Sequence, residues 1–172
     1  LIRFTSDLAF EVYRYVRNNM FPIVIGGDHS IAIGSVSGTK MAFPNERVGV
    51  VWIDAHADLH SPWTTPSGNV HGMPLALLMN LEKKGNNRPK MFTLDVWDRL
   101  RKIGSSGPKV LPADLVFIGL RDYEEEERAI IEEHGVKVIT VEELRAKGAK
   151  AAVQDTLAHL AGCDKLHISF DV

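Results

Sequence analysis

The sequence predicts an α/β fold, a three-layer α/β/α domain whose central sheet is mainly parallel. Two observations predict it: short apolar segments recur along the chain, and segments with helical periodicity separate them. A strand that returns to its sheet through a helix runs parallel to the previous strand, by a right-handed crossover. The segment at 48–53 is nearly all apolar, as a strand covered on both faces must be.

The apolar segments are short and bounded by turn residues or helical segments. The predicted strands are 23–25, 48–53, 115–118, 136–139 and 166–170. The predicted helices are 6–19, 74–81, 124–134 and 149–161. A further helix begins near Ser30, although Gly34 and Gly38 weaken that prediction.

Residue types typical of helix ends and loops predict where several elements begin or end. Thr5 or Ser6 is the expected N-cap of the first helix, and Pro22 is expected to end it. Thr140 and Glu143 have the spacing of a capping box that opens another helix. Residues 80–89 and 104–108 are predicted surface loops.

Composition narrows the class of protein. The chain has 172 residues, 45% of them hydrophobic, which suits one core and a single domain over 1–172. Its 20 basic and 22 acidic residues nearly cancel, so neither nucleic acid nor a membrane surface is an expected partner. Its single cysteine, Cys163, cannot form an internal disulfide, which favours a reducing, cytoplasmic location.

The two ends of the sequence suggest a piece of a larger protein. The chain opens without an initiator methionine and stops one residue after Asp171, at the end of a predicted strand. A complete domain would be expected to continue into a further crossover. We therefore expect a fragment that lacks N-terminal and C-terminal parts of its domain.

Acidic and histidine side chains follow two of the predicted strands. His29 comes after strand 23–25, and Asp54, His56 and Asp58 come after strand 48–53. In extended backbone, alternate side chains point the same way, so the latter three are expected to project together. Carboxylates and an imidazole crowded on one face are stable when a cation lies among them. The pattern predicts a metal site at this edge of the sheet, and Asp28 is expected to cap the following turn.

Four motifs in this order resemble those of the ureohydrolases, the family of arginase, agmatinase and formimidoylglutamase. They are Gly-Gly-Asp-His-Ser at 26–30, Asp-Ala-His-Ala-Asp at 54–58, Ser-Gly-Asn-Val-His-Gly at 67–72 and Ser-Phe-Asp at 169–171. The resemblance implies the three-layer fold predicted above and two Mn²⁺ ions. It implies one ion held by His29, Asp54, Asp58 and Asp171, and another by Asp54, His56 and Asp171.

The same resemblance assigns further roles. His71 resembles the histidine that relays a proton to the leaving amine, a role suited to a group titrating near neutrality. Two family residues have no counterpart here: an aspartate two positions beyond Asp171, which completes the second ion's ligands, and a downstream glutamate that holds the guanidinium group. The chain is thus expected to carry most of a site.

The expected substrate is a small guanidino compound. Thr65, Ser67 and Asn69 resemble a loop that binds the α-carboxylate of L-arginine, and Asp122, Glu124 and, more weakly, Glu127 resemble residues facing its α-ammonium. The sequence departs from the family pattern at His60, where asparagine is common near the carboxylate, and at Glu124, where aspartate is usual. Hydrolysis of arginine to ornithine and urea, by a protein expected to be a homo-oligomer, is the favoured interpretation.

Two alternatives stay open. One is agmatinase or formimidoylglutamase activity within the same family. The other is a catalytically inactive, truncated scaffold that binds a partner or regulates a full-length subunit. The preserved set of candidate ligands favours an enzyme over the scaffold.

Overall fold

A computed structural model describes residues 1–82 and 84–172. Residue 83, part of the predicted 80–89 loop, lies outside the described residues. The chain divides into two compact units. Unit 1 comprises Leu1–Asn45 and Asp58–Lys109, and unit 2 comprises Glu46–Ala57 and Val110–Val172. The assignment of residues 1–172 to a single domain stays a prediction.

Unit 2 contains a parallel sheet of four strands in the order β3-β2-β1-β4. The strands are β1 (Val48–Ile53), β2 (Leu115–Leu120), β3 (Lys137–Thr140) and β4 (Lys165–Phe170). The α/β class and four of the five predicted strands are confirmed, with ends that differ by at most two residues. Val51 lies at the centre, paired with Val116 on one side and Ile168 on the other.

Two helices belong to the same unit, α5 (Glu125–His134) and α6 (Val141–His159). Gly135 ends α5 in the left-handed conformation, with φ of 61°. The predicted capping box is present, since the Glu143 amide donates to Thr140 Oγ1 at 3.2 Å and the Thr140 amide to Glu143 Oε2 at 3.0 Å. The predicted helix 149–161 is the second part of α6, which is interrupted at Gly148, where φ is 79°.

One face of the sheet packs on α6. Ala152 and Leu160, from that helix and its C-cap, form a buried cluster with Val51, Val116, Ile118 and Ile139 of the strands. The apolar side chains that define β1 and β2 therefore contribute to a shared core, and burial of each is worth about 1.5–3 kcal/mol. This core fixes the strands whose carboxyl ends carry the candidate ligands.

Unit 1 is helical, with α1 (Ile2–Arg17), α2 (Ile31–Ala42), α3 (Pro74–Leu78) and α4 (Met91–Arg101). The predicted N-cap of the first helix is wrong, because α1 begins at Ile2 and Thr5 lies inside it, donating to the Leu1 carbonyl at 3.1 Å. Its predicted end at Pro22 is also wrong. The helix stops at Arg17, and Asn18 Nδ2 caps the Arg14 carbonyl at 2.8 Å.

Gly38 explains why α2 forms despite its glycines. A Cβ atom at this position would lie 2.4 Å from the Ala9 carbonyl oxygen of α1, closer than van der Waals contact allows. The two helices therefore pack backbone to backbone, and the packing offsets the low helix propensity of glycine. The helix predicted from Ser30 is confirmed, with Ser30 as its N-cap.

The predicted strand at 23–25 is wrong. Residues 20–26 have no regular secondary structure, and no described strand pairs with them. Phe21, Ile23 and Ile25 alternate with less exposed neighbours and are 89%, 79% and 91% exposed. The alternation typical of a strand is thus present, but a strand also needs a neighbour to accept and donate its backbone hydrogen bonds.

The sequence analysis missed α4, which belongs to the core of unit 1. Its Trp97 and Leu100 are buried with Ile33, Met73 and Leu77.

Beyond α4, the Lys109 ammonium is buried and donates to the carbonyls of Arg101 and Ser105. Burial lowers the pKa of Lys109 to about 8.

Within the described part of the chain, no helix has both the length and the hydropathy required to cross a membrane.

Candidate functional site

The carboxyl ends of β1 and β4 hold three of the candidate ligands. The Asp54 amide donates to the Ile118 carbonyl at 3.1 Å, and the Asp171 amide donates to the Ile53 carbonyl at 2.9 Å. These bonds continue the parallel ladder past the last strand residues. The backbones of Asp54 and Asp171 are thereby fixed side by side at one edge of the sheet.

Asp54, His56 and Asp171 form a compact cluster in unit 2. Their potential ligand atoms all lie within 4.8 Å of one another. Asp54 Oδ1 accepts the His56 amide at 3.0 Å and lies 3.4 Å from His56 Nδ1. The Asp54 side chain is only 2% exposed, whereas that of His56 is 58% exposed. Two carboxylates and an imidazole at this spacing are a suitable donor set for a divalent cation.

Asp122 extends this edge from β2. The amides of Arg121 and Asp122 both donate to the Ala55 carbonyl at 2.9 Å, and Asp122 forms an isolated parallel bridge with His56. Asp122 Oδ2 lies 3.7 Å from His56 Nε2. A carboxylate beside a metal-binding imidazole can orient its ring. Sequence reasoning missed this contact, because the resemblance assigned Asp122 to the substrate.

Glu124 and Glu127 cap the N-terminus of α5. Glu124 is the N-cap of α5, and its amide donates to Glu127 Oε2 at 3.0 Å as part of a capping box. Acidic side chains are favoured at this end of a helix by its dipole. Their assignment to the substrate's α-ammonium stays a prediction.

His29 and Asp58 form a buried pair in unit 1. His29 Nδ1 lies 3.0 Å from Asp58 Oδ2, and the two side chains are 8% and 7% exposed. Asp58 has φ of 52°, in the left-handed region that costs a non-glycine residue about 1–2 kcal/mol. The backbone therefore leaves the extended conformation at Asp58, the last residue of the predicted set, and the common projection of 54, 56 and 58 stays a prediction. Such strain persists where the surroundings hold a side chain in one direction.

Asp28 precedes this pair and caps the turn, as predicted. Its Oδ1 accepts the Ser30 amide at 2.8 Å. Hydrogen bonds from Ser30, with smaller electrostatic contributions from His71 and His29, hold the pKa of the Asp28 carboxyl below its usual value. The carboxylate is therefore charged at neutral pH.

Residues 60–72, here called the 60–72 loop, carry the remaining predicted side chains. The loop is closed by the His60 amide, which donates to the Gly72 carbonyl at 3.0 Å. Inside it, Thr65 Oγ1 accepts the Gly68 amide at 3.0 Å, and Ser67 Oγ accepts the Asn69 amide at 3.2 Å. Each hydroxyl is thereby oriented as an acceptor, and its O–H hydrogen remains able to donate to an anion.

The two histidines of this loop differ in environment. His71 lies in a single 3-10 turn, Val70–Gly72, and is exposed. His60 is buried, and its Nδ1 lies 3.2 Å from Thr64 Oγ1, which also accepts the Ser61 amide at 2.9 Å. An exposed imidazole can exchange protons with a bound molecule and with water. A buried imidazole bonded to its own loop can shape that loop.

The structure thus groups the predicted residues other than Glu124 in three sets: the cluster Asp54, His56 and Asp171 with neighbouring Asp122, the pair His29 and Asp58, and the 60–72 loop. It also reveals one participant that sequence reasoning missed. Asn87 donates from its side chain to the Thr65 carbonyl at 2.6 Å and from its backbone to the Trp63 carbonyl at 3.1 Å. Its segment was predicted only as a surface loop, and nothing in its composition indicates this contact.

Comparison with known proteins gives a consistent result. The sequence model described as the Arginase family matches residues 2–172. An arginase of Bacillus subtilis (strain 168) is 39% identical over 167 residues, which cover 97% of this chain and 51% of the relative. An arginase of Coccidioides immitis (strain RS) is 40% identical over 172 residues, covering 98% and 50%. The chain spans about half the length of the curated relatives it matches.

Solved structures support the same fold. The crystal structure of arginase from Bacillus subtilis at 1.7 Å matches with a TM-score of 0.85 and 38% identity, covering 99% of this chain and 53% of that one. The formimidoylglutamase from the same organism matches with a TM-score of 0.74 and 18% identity, covering 100% and 46%. The second match bears on the fold alone. Together they confirm the arginase-like α/β class.

Proposed function

Because the chain belongs to the arginase family, we propose that the full-length protein is a manganese-dependent ureohydrolase that converts L-arginine to L-ornithine and urea. The observation that carries the proposal is the cluster of Asp54, His56 and Asp171, whose ligand atoms lie within 4.8 Å of one another. Relatives of 39% and 40% identity are named arginases.

The donor chemistry fits manganese. Carboxylates predominate, the two candidate histidines add borderline nitrogen ligands, and the one cysteine of the sequence, Cys163, is not among the candidates. Such a set suits Mn²⁺ better than soft metals that prefer thiolates. We propose two ions, one held by His29, Asp54, Asp58 and Asp171, and the other by Asp54, His56 and Asp171.

The chemistry of the metals explains why this reaction needs them. A guanidinium carbon is stabilised by resonance and resists attack by water. Divalent cations held by these ligands would supply Lewis-acid polarisation and would lower the pKa of bound water. The buried Asp54 and Asp58 carboxylates would hold such charge in place.

His71 is proposed to deliver the proton that the leaving amine requires. It is exposed on a short turn, and the charged Asp28 carboxylate adds electrostatic support nearby. An imidazole titrates near neutrality, so it can take up and release a proton under physiological conditions. The products are then ornithine and urea.

The 60–72 loop is proposed to select arginine by its carboxylate. Thr65 and Ser67 each use an oxygen to accept a loop amide, which leaves the O–H hydrogen to donate to the substrate. Asn69 would add an amide donor, and Asp122 and Glu124 would face the α-ammonium. His60 would border the carboxylate from its buried position. Agmatine has no carboxylate, so these donors would lose a partner.

The remaining proposals concern the protein's setting. The substrate is a small guanidino molecule, and the full-length protein is proposed to act in the cytoplasm as a homo-oligomer. The cytoplasmic assignment rests on the single cysteine, since cytoplasmic proteins rarely depend on disulfides.

A side-by-side urea assay of the full-length, manganese-loaded protein tests the substrate. We expect kcat/KM for L-arginine to exceed that for agmatine by at least about fivefold, because one unpaired buried donor costs about 1–3 kcal/mol. An equal or better kcat/KM with agmatine would reject arginine as the preferred substrate and leave the family assignment in place. No urea from either compound would reject the ureohydrolase activity.

A further inference from the structure

Residues 84–88, here called the brace, lie against the 60–72 loop within unit 1. Two hydrogen bonds from one residue join them: the Asn87 backbone amide donates to the Trp63 carbonyl at 3.1 Å, and Asn87 Nδ2 donates to the Thr65 carbonyl at 2.6 Å. The two carbonyls are two residues apart, so one asparagine spans the central part of the loop.

The contact is close along the backbone as well. A Cβ atom at Gly85 would lie 2.6 Å from the Trp63 carbonyl oxygen and 3.0 Å from Thr64 Cγ2. Only glycine permits this approach without displacement of one segment. On another side, the Trp63 ring packs edge-to-face on Trp97 of α4, with centroids 6.5 Å apart and an interplanar angle of 86°.

Thr65 is the residue that this arrangement restrains most. Its amide donates to the Ser61 carbonyl at 3.0 Å, and its carbonyl accepts Asn87 Nδ2. Both of its backbone polar groups are therefore bonded, and its Oγ1 accepts the Gly68 amide. A residue held at its amide, carbonyl and hydroxyl has few ways to reorient, which lowers the entropy that binding would otherwise cost.

We propose that Asn87 is a positioning residue that holds Thr65 and the 60–72 loop in the orientation that binds the substrate's carboxylate. This inference rests on the proposed function, since it assigns Asn87 a consequence for arginine binding. Asn87 itself does not touch the substrate. Its effect passes through the carbonyls of Trp63 and Thr65.

The main test is Asn87→Ala in the full-length, manganese-loaded protein, with Asn86→Ala as the matched control. Asn86 is the same residue type in the adjacent position and is exposed. We expect Asn87→Ala to raise KM for L-arginine about threefold to tenfold, the range that one hydrogen bond supplies, with kcat changed less than about twofold. The Asn86 variant should match the wild type. Turnover of agmatine, which has no carboxylate, should change equally little in both variants.

A second pair of variants tests the close approach without removing a hydrogen-bonding group. Gly85→Ala should displace the brace from the Trp63 carbonyl and raise KM for arginine in the same direction. Gly107→Ala is its control, because a Cβ there would meet nothing nearer than Ser105 Oγ at 4.0 Å among the described residues. Equal kinetics for the two glycine variants would contradict a role for the contact.

Hydrogen exchange provides a readout that does not depend on turnover. Amides of residues 61–69 should exchange several-fold faster in Asn87→Ala than in Asn86→Ala. A loss of melting temperature in Asn87→Ala with KM unchanged would reduce Asn87 to a structural residue and overturn the proposal. Identical exchange and identical KM in the two asparagine variants would overturn it as well.

The outcomes separate this proposal from the proposed function. If the wild type is active and Asn87→Ala leaves KM for arginine unchanged, the positioning role alone is rejected. If the wild type releases no urea from arginine, the proposed function is rejected, and so is the effect of Asn87 on arginine binding. Faster exchange in the Asn87 variant of such an inactive protein would leave only the mechanical restraint of the loop.

Discussion

The strand-end cluster of unit 2 and the 60–72 loop of unit 1 are built by different physical means. Asp54 and Asp171 are fixed by backbone bonds to neighbouring strands, such as Asp54 N to Ile118 O at 3.1 Å, between residues distant in sequence. The loop is fixed mainly by short-range bonds, such as Gly68 N to Thr65 Oγ1 at 3.0 Å. The cluster inherits its geometry from the sheet, while the loop depends on its own turn residues and on the brace.

Substitutions are expected to act differently in the two regions. Asp54 follows the buried strand β1 and should keep its backbone position when its side chain changes, so a substitution there should act through lost chemistry. A loop closed by local bonds can rearrange when one bond is lost, so substitutions there should act through positioning.

The largest effect is expected from Asp54→Ala in the full-length protein. Asp54 belongs to both proposed ligand sets, so its loss should remove both ions. Urea release should fall by more than about 10²-fold, beyond what loss of a residue that only supports a ligand costs. Elemental analysis should find both ions lost. His29→Ala should mainly weaken one ion.

The matched control is Asp7→Ala, which removes a carboxylate that is 71% exposed on α1 and lies 3.7 Å from the Arg3 guanidinium. Exposed pairs of this kind contribute little, so metal content and rate should stay at wild-type levels. Retention of both ions by the Asp54 variant would contradict its place in both proposed ligand sets. An unfolded Asp54 variant, detected by circular dichroism, would contradict the claim that the sheet alone fixes this position.

A smaller effect, confined to one substrate, is expected from Ser67→Ala and Asn69→Ala. Each removes a donor proposed for the carboxylate, so kcat/KM for arginine should fall by a factor of about 5–150, equivalent to roughly 1–3 kcal/mol. The kcat/KM for agmatine should change less. Ser6→Ala, at an exposed position of α1, is the control. Equal losses for both substrates would assign these residues to folding of the loop instead.

The sequence alone predicted the regions whose signal is local or repetitive. Four strands and the Thr140 capping box follow from apolar runs and residue spacing. The cluster at 54–56 follows from the rule that ligands gather at the carboxyl ends of parallel strands. Its grouping with Asp171 needed the family resemblance, because His56 and Asp171 are far apart in the sequence and meet only in the folded sheet.

The parts that sequence reasoning missed depend on partners or on backbone geometry. Residues 23–25 have the apolar character of a strand, but no described strand pairs with them. The left-handed backbone of Asp58, with φ of 52°, is hard to predict because only a small minority of non-glycine residues adopt it, although aspartate is among the types in which it is enriched. The bond from Asn87 to Thr65 joins residues 22 positions apart through a segment without periodicity. Contacts of this kind are decided by tertiary packing.

Metal content of the full-length wild-type protein, together with its urea release before and after chelation, decides whether the protein is a manganese-dependent hydrolase. After manganese supplementation, we expect about two Mn²⁺ per chain, loss of urea release from L-arginine when a chelator removes them, and recovery when Mn²⁺ is returned. A protein that contains no divalent metal after supplementation, or that hydrolyses arginine equally well after chelation, would contradict the account.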